Sequence, residues 1–200
     1  YFRTLNETEL GDEGRLPPNL SGVGFKLTTT WLRTVLTQRG QARPYMGVRM
    51  PQFGEAHVGP LVAALAAESG LWPNSDRVEP KASDEIAAGG RKLVGDSALN
   101  CISCHVFGDY PSAGTPGPSI TAFSERLRYD WWKGYIMNPH RYKAGTRMPN
   151  FYMTGKGAVV DVLGGDPDKQ ADAMWAYFNL GDLAPAPTGI NTSAFSRVST

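Results

Sequence analysis

The two cysteines of this 200-residue chain lie three positions apart, in Cys101-Ile102-Ser103-Cys104, and His105 follows directly. A disulfide between them would close too small a loop to stabilise the chain much, and it would leave His105 without a role. A structural zinc site needs four ligands. Beyond this motif the chain offers only His57 or His140, with no second cysteine pair. Neither alternative accounts for the whole motif.

The same spacing suits covalent attachment of haem. Two thiols separated by two residues reach the two vinyl groups of one porphyrin and form thioether bonds, which hold the following histidine beneath the iron. A neutral imidazole nitrogen is a strong proximal ligand for iron. The motif therefore predicts one haem c per chain, attached through Cys101 and Cys104, with His105 bound to the iron.

One helix is predicted on each side of this motif. The upstream helix, over residues 83–95, begins with the capping Ser83, carries acids in its first turn and bases in its last, and has Gly90 in its apolar stripe. The downstream helix begins at Asp166-Pro167, and its apolar stripe contains Trp175. We expect the missing side chain at Gly90 and the bulky aromatic to be complementary, so that the two helices pack closely.

Further along, Gly117-Pro118 and the segment Gly145-Thr146-Arg147-Met148-Pro149-Asn150-Phe151 complete a pattern that resembles class I cytochrome c over residues 83–182. The resemblance implies an all-α cytochrome c fold, with short helices and long loops around one covalent haem. It implies that Met148 is the distal iron ligand. It also implies that the carbonyl of Pro118 accepts the proton on the second nitrogen of His105, which fixes the tautomer.

Other assignments on the distal side stay open. Met148 is alternatively an ordinary core residue, and the competing sulfurs are those of Met137 and Met153. His140 in place of a sulfur would lower the reduction potential. Haem propionates would be neutralised by Arg126 or Arg147, with help from Trp131. The bases of this region are alternatively a docking surface for an acidic partner: Arg126, Arg128, Lys133, Arg141, Lys143 and Arg147.

An internal repeat relates the first half of the chain to the haem-binding half. A shift of 100 residues aligns residues 18–36 with 118–136, and a shift of 98 aligns Gly-Val-Arg-Met-Pro-Gln-Phe at 47–53 with the segment at 145–151. The first copy has no cysteine or histidine where haem would attach. We therefore expect residues 1–70 to form a degenerate, haem-less, partial cytochrome c-like domain, unless a first attachment motif lies upstream of Tyr1.

Three expectations follow for the rest of the chain. Residues 71–82 are interpreted as a linker and residues 183–200 as an extended tail. In the first copy we expect Met50 in the core, His57 at the surface or hydrogen-bonded, and Trp31 and the Leu61/Leu65 face buried. Residues 154–165 form a long connection that either covers the haem edge or makes a small hairpin.

The function predicted from these features is electron transfer, without catalysis by this chain. The formal net charge is only +1, and the chain has no apolar run of about 20 residues, so nucleic acid and a membrane-spanning segment are not expected. Partners would be redox proteins, in the bacterial periplasm or another extracytoplasmic location, with a membrane tether or further domains outside this sequence still compatible. The alternatives are the haem subunit of a larger peroxidase-like or dehydrogenase-linked enzyme, and a redox or gas sensor.

Overall fold

The computed structural model describes residues 17–43, 46, 48–71, 79, 83–112, 114 and 117–190. Within these ranges the chain consists of helices and loops, with isolated β-bridges but no strand. No helix in the described part is long and apolar enough to cross a membrane. The α-helices are α1 Val23–Lys26, α2 Thr29–Thr37, α3 Glu55–Ala67, α4 Asp84–Val94, α5 Phe123–Arg126, α6 Tyr129–Met137, α7 Pro139–Tyr142 and α8 Pro167–Phe178. Short 3₁₀ turns are Glu68–Leu71, Cys101–Ser103, Ile120–Ala122, Leu163–Gly165 and Gly181–Leu183.

The chain divides into two compact units. Among the described residues, unit 1 contains those from 17 to 71 together with Glu125–Trp131, and unit 2 contains those from 79 to 124 and from 132 to 190. The assignment of Glu125–Trp131 to unit 1 was not expected from the sequence. Most of the predicted linker (72–78 and 80–82) and the end of the predicted tail (191–200) lie outside the described residues.

The core of unit 1 is formed by α2 and α3, through Leu32, Leu36, Val58 and Val62. Helix α3 spans Glu55–Ala67, and its buried residues are Val58 and Val62. Leu61 is 46% exposed. The Leu61 half of the expected Leu61/Leu65 face is therefore wrong, because an apolar run alone does not define which side of a helix faces the core. Leu65 is partly buried against this core.

Unit 1 also pairs two segments that are equivalent in the repeat. Leu27 and Leu127 form an antiparallel bridge. The Thr28 amide donates to the Arg126 carbonyl at 3.0 Å, and the Arg128 amide donates to the Lys26 carbonyl at 2.9 Å. Under the 100-residue shift each of these bonds is the equivalent of the other. The two segments that the predicted repeat aligns are therefore paired in register, and the repeat itself stays a prediction.

Unit 2 is built on the pair α4 and α8, both capped as predicted. Ser83 Oγ accepts from the Ile86 amide at 3.3 Å, and Asp166 Oδ1 accepts from the Lys169 amide at 3.1 Å. A Cβ at Gly90 would collide with the Ala173 carbonyl. The close approach at Gly90 is thus confirmed, but its neighbours are Ala173 and Tyr177, whereas Trp175 packs on Trp132 with ring centroids 5.3 Å apart.

The segment after α8 lies along this helix pair. Arg91 Nε donates to the Ala186 carbonyl at 2.7 Å, the Asp96 amide donates to the Thr188 carbonyl at 3.1 Å, and the Tyr177 hydroxyl donates to the Pro185 carbonyl. Burial raises the pKa of the Tyr177 phenol, with Arg91 opposing the shift, so that hydroxyl stays a donor at neutral pH. The described part of the predicted tail is therefore anchored to the helices of unit 2.

Candidate haem site

The attachment motif is a single 3₁₀ turn. Asn100 precedes the turn in the left-handed region, with φ of 53°, and the His105 amide donates to the Cys101 carbonyl at 2.8 Å. This tight turn fixes the cysteine pair and the histidine relative to one another. Both cysteines are free thiols, and Cys104 is exposed.

An apolar cavity lies beside the turn, within unit 2. Cys101, His105 and Met148 all line it, so three residues predicted from the sequence are brought together although Met148 is 43 positions beyond His105. Apolar and aromatic side chains complete the lining: Ile120, Phe123, Trp132, Ile136, Met174 and Phe178. Removal of water by such a lining strengthens electrostatic interactions within it.

The ring of His105 is fixed on two sides. Its Nδ1 lies 2.8 Å from the Pro118 carbonyl, and because a carbonyl only accepts, Nδ1 carries the proton and donates. The Nε2 lone pair is then the one left for a metal. Gly117 has no room for a side chain, since a Cβ there would lie 2.8 Å from His105 Nδ1. Phe123 packs edge-on to the imidazole, with centroids 5.2 Å apart.

The Cys101 thiol faces the apolar cavity. Burial, together with the neighbouring Cys104, raises the pKa of Cys101 to about 12, so its thiol is neutral at pH 7. Free thiols at the required spacing, an imidazole with its Nε2 available and an apolar enclosure are the features that haem c needs. The residues present therefore fit this group.

Met148 is positioned through its backbone. Its amide donates to Thr146 Oγ1 at 3.3 Å, and Thr146 Oγ1 is 3.2 Å from the Tyr135 hydroxyl on α6. Two of the competing ligands lie at the surface, since Met153 is 80% exposed and His140 is exposed too.

One further sulfur is close to Met148. Met174 on α8 is 1% exposed and lines the same cavity. It is not among the competing sulfurs that the sequence predicts. Met137 is half-buried and does not belong to the cavity lining.

Of the residues predicted to neutralise haem propionates, Arg126 and Trp131 belong to unit 1 and Arg147 to unit 2. In unit 1, Lys26 Nζ lies 4.6 Å from the ring centroid of Trp131, and Arg126 is buried. The tryptophan that lines the cavity is the next residue, Trp132, in unit 2. Arg147 is exposed. Sequence reasoning missed Trp132 and its neighbour Ile136, although their spacing of four would place them on one face of a helix.

The basic residues of residues 126–147 have different environments. Lys133 is buried and bridges two carboxylates of α8, at 2.8 Å from Asp172 and 3.1 Å from Asp168. Arg128 Nε donates to the Gly24 and Leu27 carbonyls at 2.8 and 3.0 Å within unit 1. The side chains of Arg141 and Lys143 are exposed. Within the described ranges, no group of three or more His, Cys, Asp or Glu residues is placed to hold a metal ion.

The fold and the cavity define a domain built to hold a covalent redox cofactor. Residues 87–179, just under half of the chain, match the family model of Cytochrome c, which supports a c-type cytochrome segment there. It has the all-α cytochrome c fold, binds haem c with its iron, and functions in electron transport. Neither the curated proteins nor the solved structures gave a significant match to the chain.

Proposed function

We propose that the domain transfers electrons through one haem c whose iron is bound by His105 and Met148. The observation that carries this proposal is the shared cavity, which is lined by Cys101, His105 and Met148 together. When bound, haem c supplies an iron that alternates between the ferric and ferrous states. The chain supplies the ligands, their orientation and the exclusion of water.

Each ligand has its own support in the chain. The Pro118 carbonyl holds the proton on His105 Nδ1, which orients the ring and makes Nε2 a stronger donor. Thr146 holds the backbone of Met148. A thioether in the distal position raises the reduction potential relative to a nitrogen ligand. The exposed Cys104 marks the side of the site that is nearest to solvent.

If His105 and Met148 both hold the iron, the haem would serve an electron carrier rather than an enzyme or a sensor. A substrate or a gas needs an open or easily displaced position on the iron. Carbon monoxide added to the reduced protein tests this directly. We expect no change in the optical spectrum at concentrations that saturate a five-coordinate haem, whereas rapid binding would support the alternatives, a catalytic haem subunit or a gas sensor.

The identity of the distal sulfur needs a separate test, because Met148 and Met174 both line the cavity. Ferric haem bound by methionine shows a charge-transfer band in the near-red. We expect Met148→Leu to abolish this band and Met174→Leu, the matched control for loss of a buried sulfur, to retain it. The opposite pattern would assign the ligand to Met174.

We also propose an extracytoplasmic location, because the family's haem is attached outside the cytoplasm in bacteria. Redox partners would be proteins that bind transiently through a small interface. Expression in a bacterial host that attaches haem in its periplasm tests the location. We expect covalent haem when the chain is exported and none when it is retained in the cytoplasm, and equal haem content in both would contradict the proposal.

A further inference from the structure

The loop that follows Met148 is joined to α8 by one buried amide. Tyr152, four residues after Met148, is 5% exposed, and its hydroxyl donates to Gln170 Oε1 at 3.2 Å. Gln170 lies on α8 and is fully buried. Its Nε2 donates to the carbonyls of Val159 at 2.7 Å and Val162 at 2.8 Å. A single side chain thus connects the helix, the loop after Met148 and the long connection at 154–165.

The contacts leave Gln170 one orientation. Carbonyl oxygens only accept, so the amide nitrogen faces Val159 and Val162, and its oxygen faces the donating hydroxyl of Tyr152. Because the group is buried, loss of any of these bonds leaves a polar atom unsatisfied. A Cβ at Gly157 would collide with Gln170 Oε1, so a residue with a side chain does not fit there. These constraints make the cluster rigid.

The two ends of the connection at 154–165 are hydrogen-bonded to each other. The Gly157 amide donates to the Gly165 carbonyl at 2.8 Å, and Leu163, Gly164 and Gly165 have successive positive φ values of 54°, 67° and 71°. This segment consists of turns and does not form the small hairpin that is one of the two expectations. Gln170 binds two of its carbonyls. Through Gln170, this segment is joined to the hydroxyl of Tyr152.

Burial raises the pKa of the Tyr152 phenol, which keeps the hydroxyl protonated and able to donate. Its amide donates to Asn150 Oδ1 at 3.1 Å, which forms a compact turn directly after Met148-Pro149. On the other side of the methionine, Thr146 is the anchor described above. Met148 thus lies between two hydrogen-bonded anchors, on α6 and on α8.

We infer that Gln170 and Tyr152 are positioning residues that hold Met148 over the distal side of the haem. The inference rests on the proposed function, in which Met148 binds the iron. In this role the pair reduces the freedom of the loop, so that the thioether is not readily displaced by another ligand. Tyr152→Phe removes one hydrogen bond and keeps the aromatic ring, so we expect the variant to retain the fold.

The test is an imidazole titration of the ferric holoprotein, full chain, followed by its optical spectrum. A single buried hydrogen bond contributes about 0.5–1.5 kcal/mol, so we expect Tyr152→Phe to raise the apparent imidazole affinity about twofold to tenfold. Gln170→Glu, which turns a donor toward two carbonyls into an acceptor, should raise it further. The near-red band should weaken in the same order.

Tyr177→Phe is the matched control, because it also removes a buried tyrosine hydroxyl that donates to a backbone carbonyl of unit 2, away from the methionine loop. We expect it to lower the melting temperature as much as Tyr152→Phe and to leave imidazole affinity unchanged. An unchanged affinity in Tyr152→Phe, or an equal increase in Tyr177→Phe, would overturn the inference alone. Met148→Ala distinguishes failure of this inference from failure of the proposed function. If Met148→Ala also leaves the imidazole affinity unchanged, Met148 is not the iron ligand and the proposed function fails as well.

Discussion

The two Arg-Met-Pro segments of the chain share their sequence but not their environment. Met148 is half-buried and lines the cavity, whereas Met50 is 37% exposed and Phe53, three residues on, is 64% exposed. The expectation that Met50 is a core methionine is therefore wrong. A motif of five matching residues in seven did not determine where its sulfur lies.

The residues around each motif explain the difference. By the repeat alignment, Val48 corresponds to Thr146 and Val35 to Tyr135, so the first copy lacks both hydroxyls of the pair that anchors Met148. Gly54 corresponds to Tyr152, so the first copy also lacks a partner for a buried amide such as Gln170. The comparison teaches that the position of a motif methionine depends on hydrogen-bond partners that the Arg-Met-Pro residues do not supply.

The largest effect is expected at the attachment motif, which the first copy lacks. Replacement of both Cys101 and Cys104 by Ala removes the thioether bonds. Haem should then be extracted completely by acidified organic solvent, whereas the unmodified protein retains it after denaturation. Retention of haem by the denatured double variant would mean that haem is not attached through Cys101 and Cys104. It would also remove the main distinction between the two copies.

Exchange of each motif methionine sharpens the comparison. Met148→Ala should lower the reduction potential by about a few tenths of a volt, part of the roughly 0.8 V range that axial ligands span. Met50→Ala, at the equivalent position, should leave the potential and the near-red band unchanged. A shift of similar size in both variants, measured by a potentiometric titration, would indicate that the two copies share a haem.

Helix contacts give a smaller effect that also separates the copies. A Cβ at Gly90 collides with the Ala173 carbonyl in unit 2, and a Cβ at Gly24 collides with the Leu65 carbonyl in unit 1. Overpacking typically costs about 1–3 kcal/mol, so both Gly→Ala variants should lower the free energy of unfolding. Only Gly90→Ala should also perturb the haem spectrum.

Gly89→Ala is the control for that pair. Its Cβ would lie 3.7 Å from Val162 Cγ1, an ordinary contact, and alanine is favoured over glycine in a helix by about 1 kcal/mol. Thermal unfolding should therefore show a gain for this variant. A loss as large as that of Gly90→Ala would rule out the close helix contact as the cause.

The smallest effect is expected for partner docking. Lys133 is buried against two carboxylates, whereas Arg141 and Lys143 in unit 2 are exposed, so these two bases are the candidates. Their exchange for Gln should lower the second-order rate with an acidic redox partner about twofold to threefold at low salt, and less as the salt screens the charges. Exchange of Lys92 and Lys156, which removes the same charge, should have a smaller effect. Equal effects would show that net charge alone matters.

Features that depend on local chemistry could be predicted from the sequence. Spacing predicted the attachment motif of Cys101, Cys104 and His105, which begins in one tight turn, and capping residues predicted α4 and α8. The placement of Trp132 rather than Trp131 in the cavity could not be predicted, because adjacent residues of a helix differ by about 100° and the sequence does not show which one faces inward.

Long-range contacts were also beyond the sequence. The buried amide of Gln170 appears in the sequence as an ordinary polar residue of an amphipathic helix, and its three partners come from three different loop positions. The assignment of Glu125–Trp131 to unit 1 depends on backbone pairing with residues about 100 positions earlier. Such pairings carry no local signal.

The central claim is that only one of the two copies in the predicted repeat holds the cofactor. The ratio of haem to protein tests this claim most directly. Intact-mass measurement of the denatured holoprotein and iron analysis of the native sample give this ratio. Peptide mapping shows where the haem is attached. We predict one haem and one iron per chain, with the haem on the peptide that contains Cys101 and Cys104. Two irons per chain, or haem on any other peptide, would contradict the account.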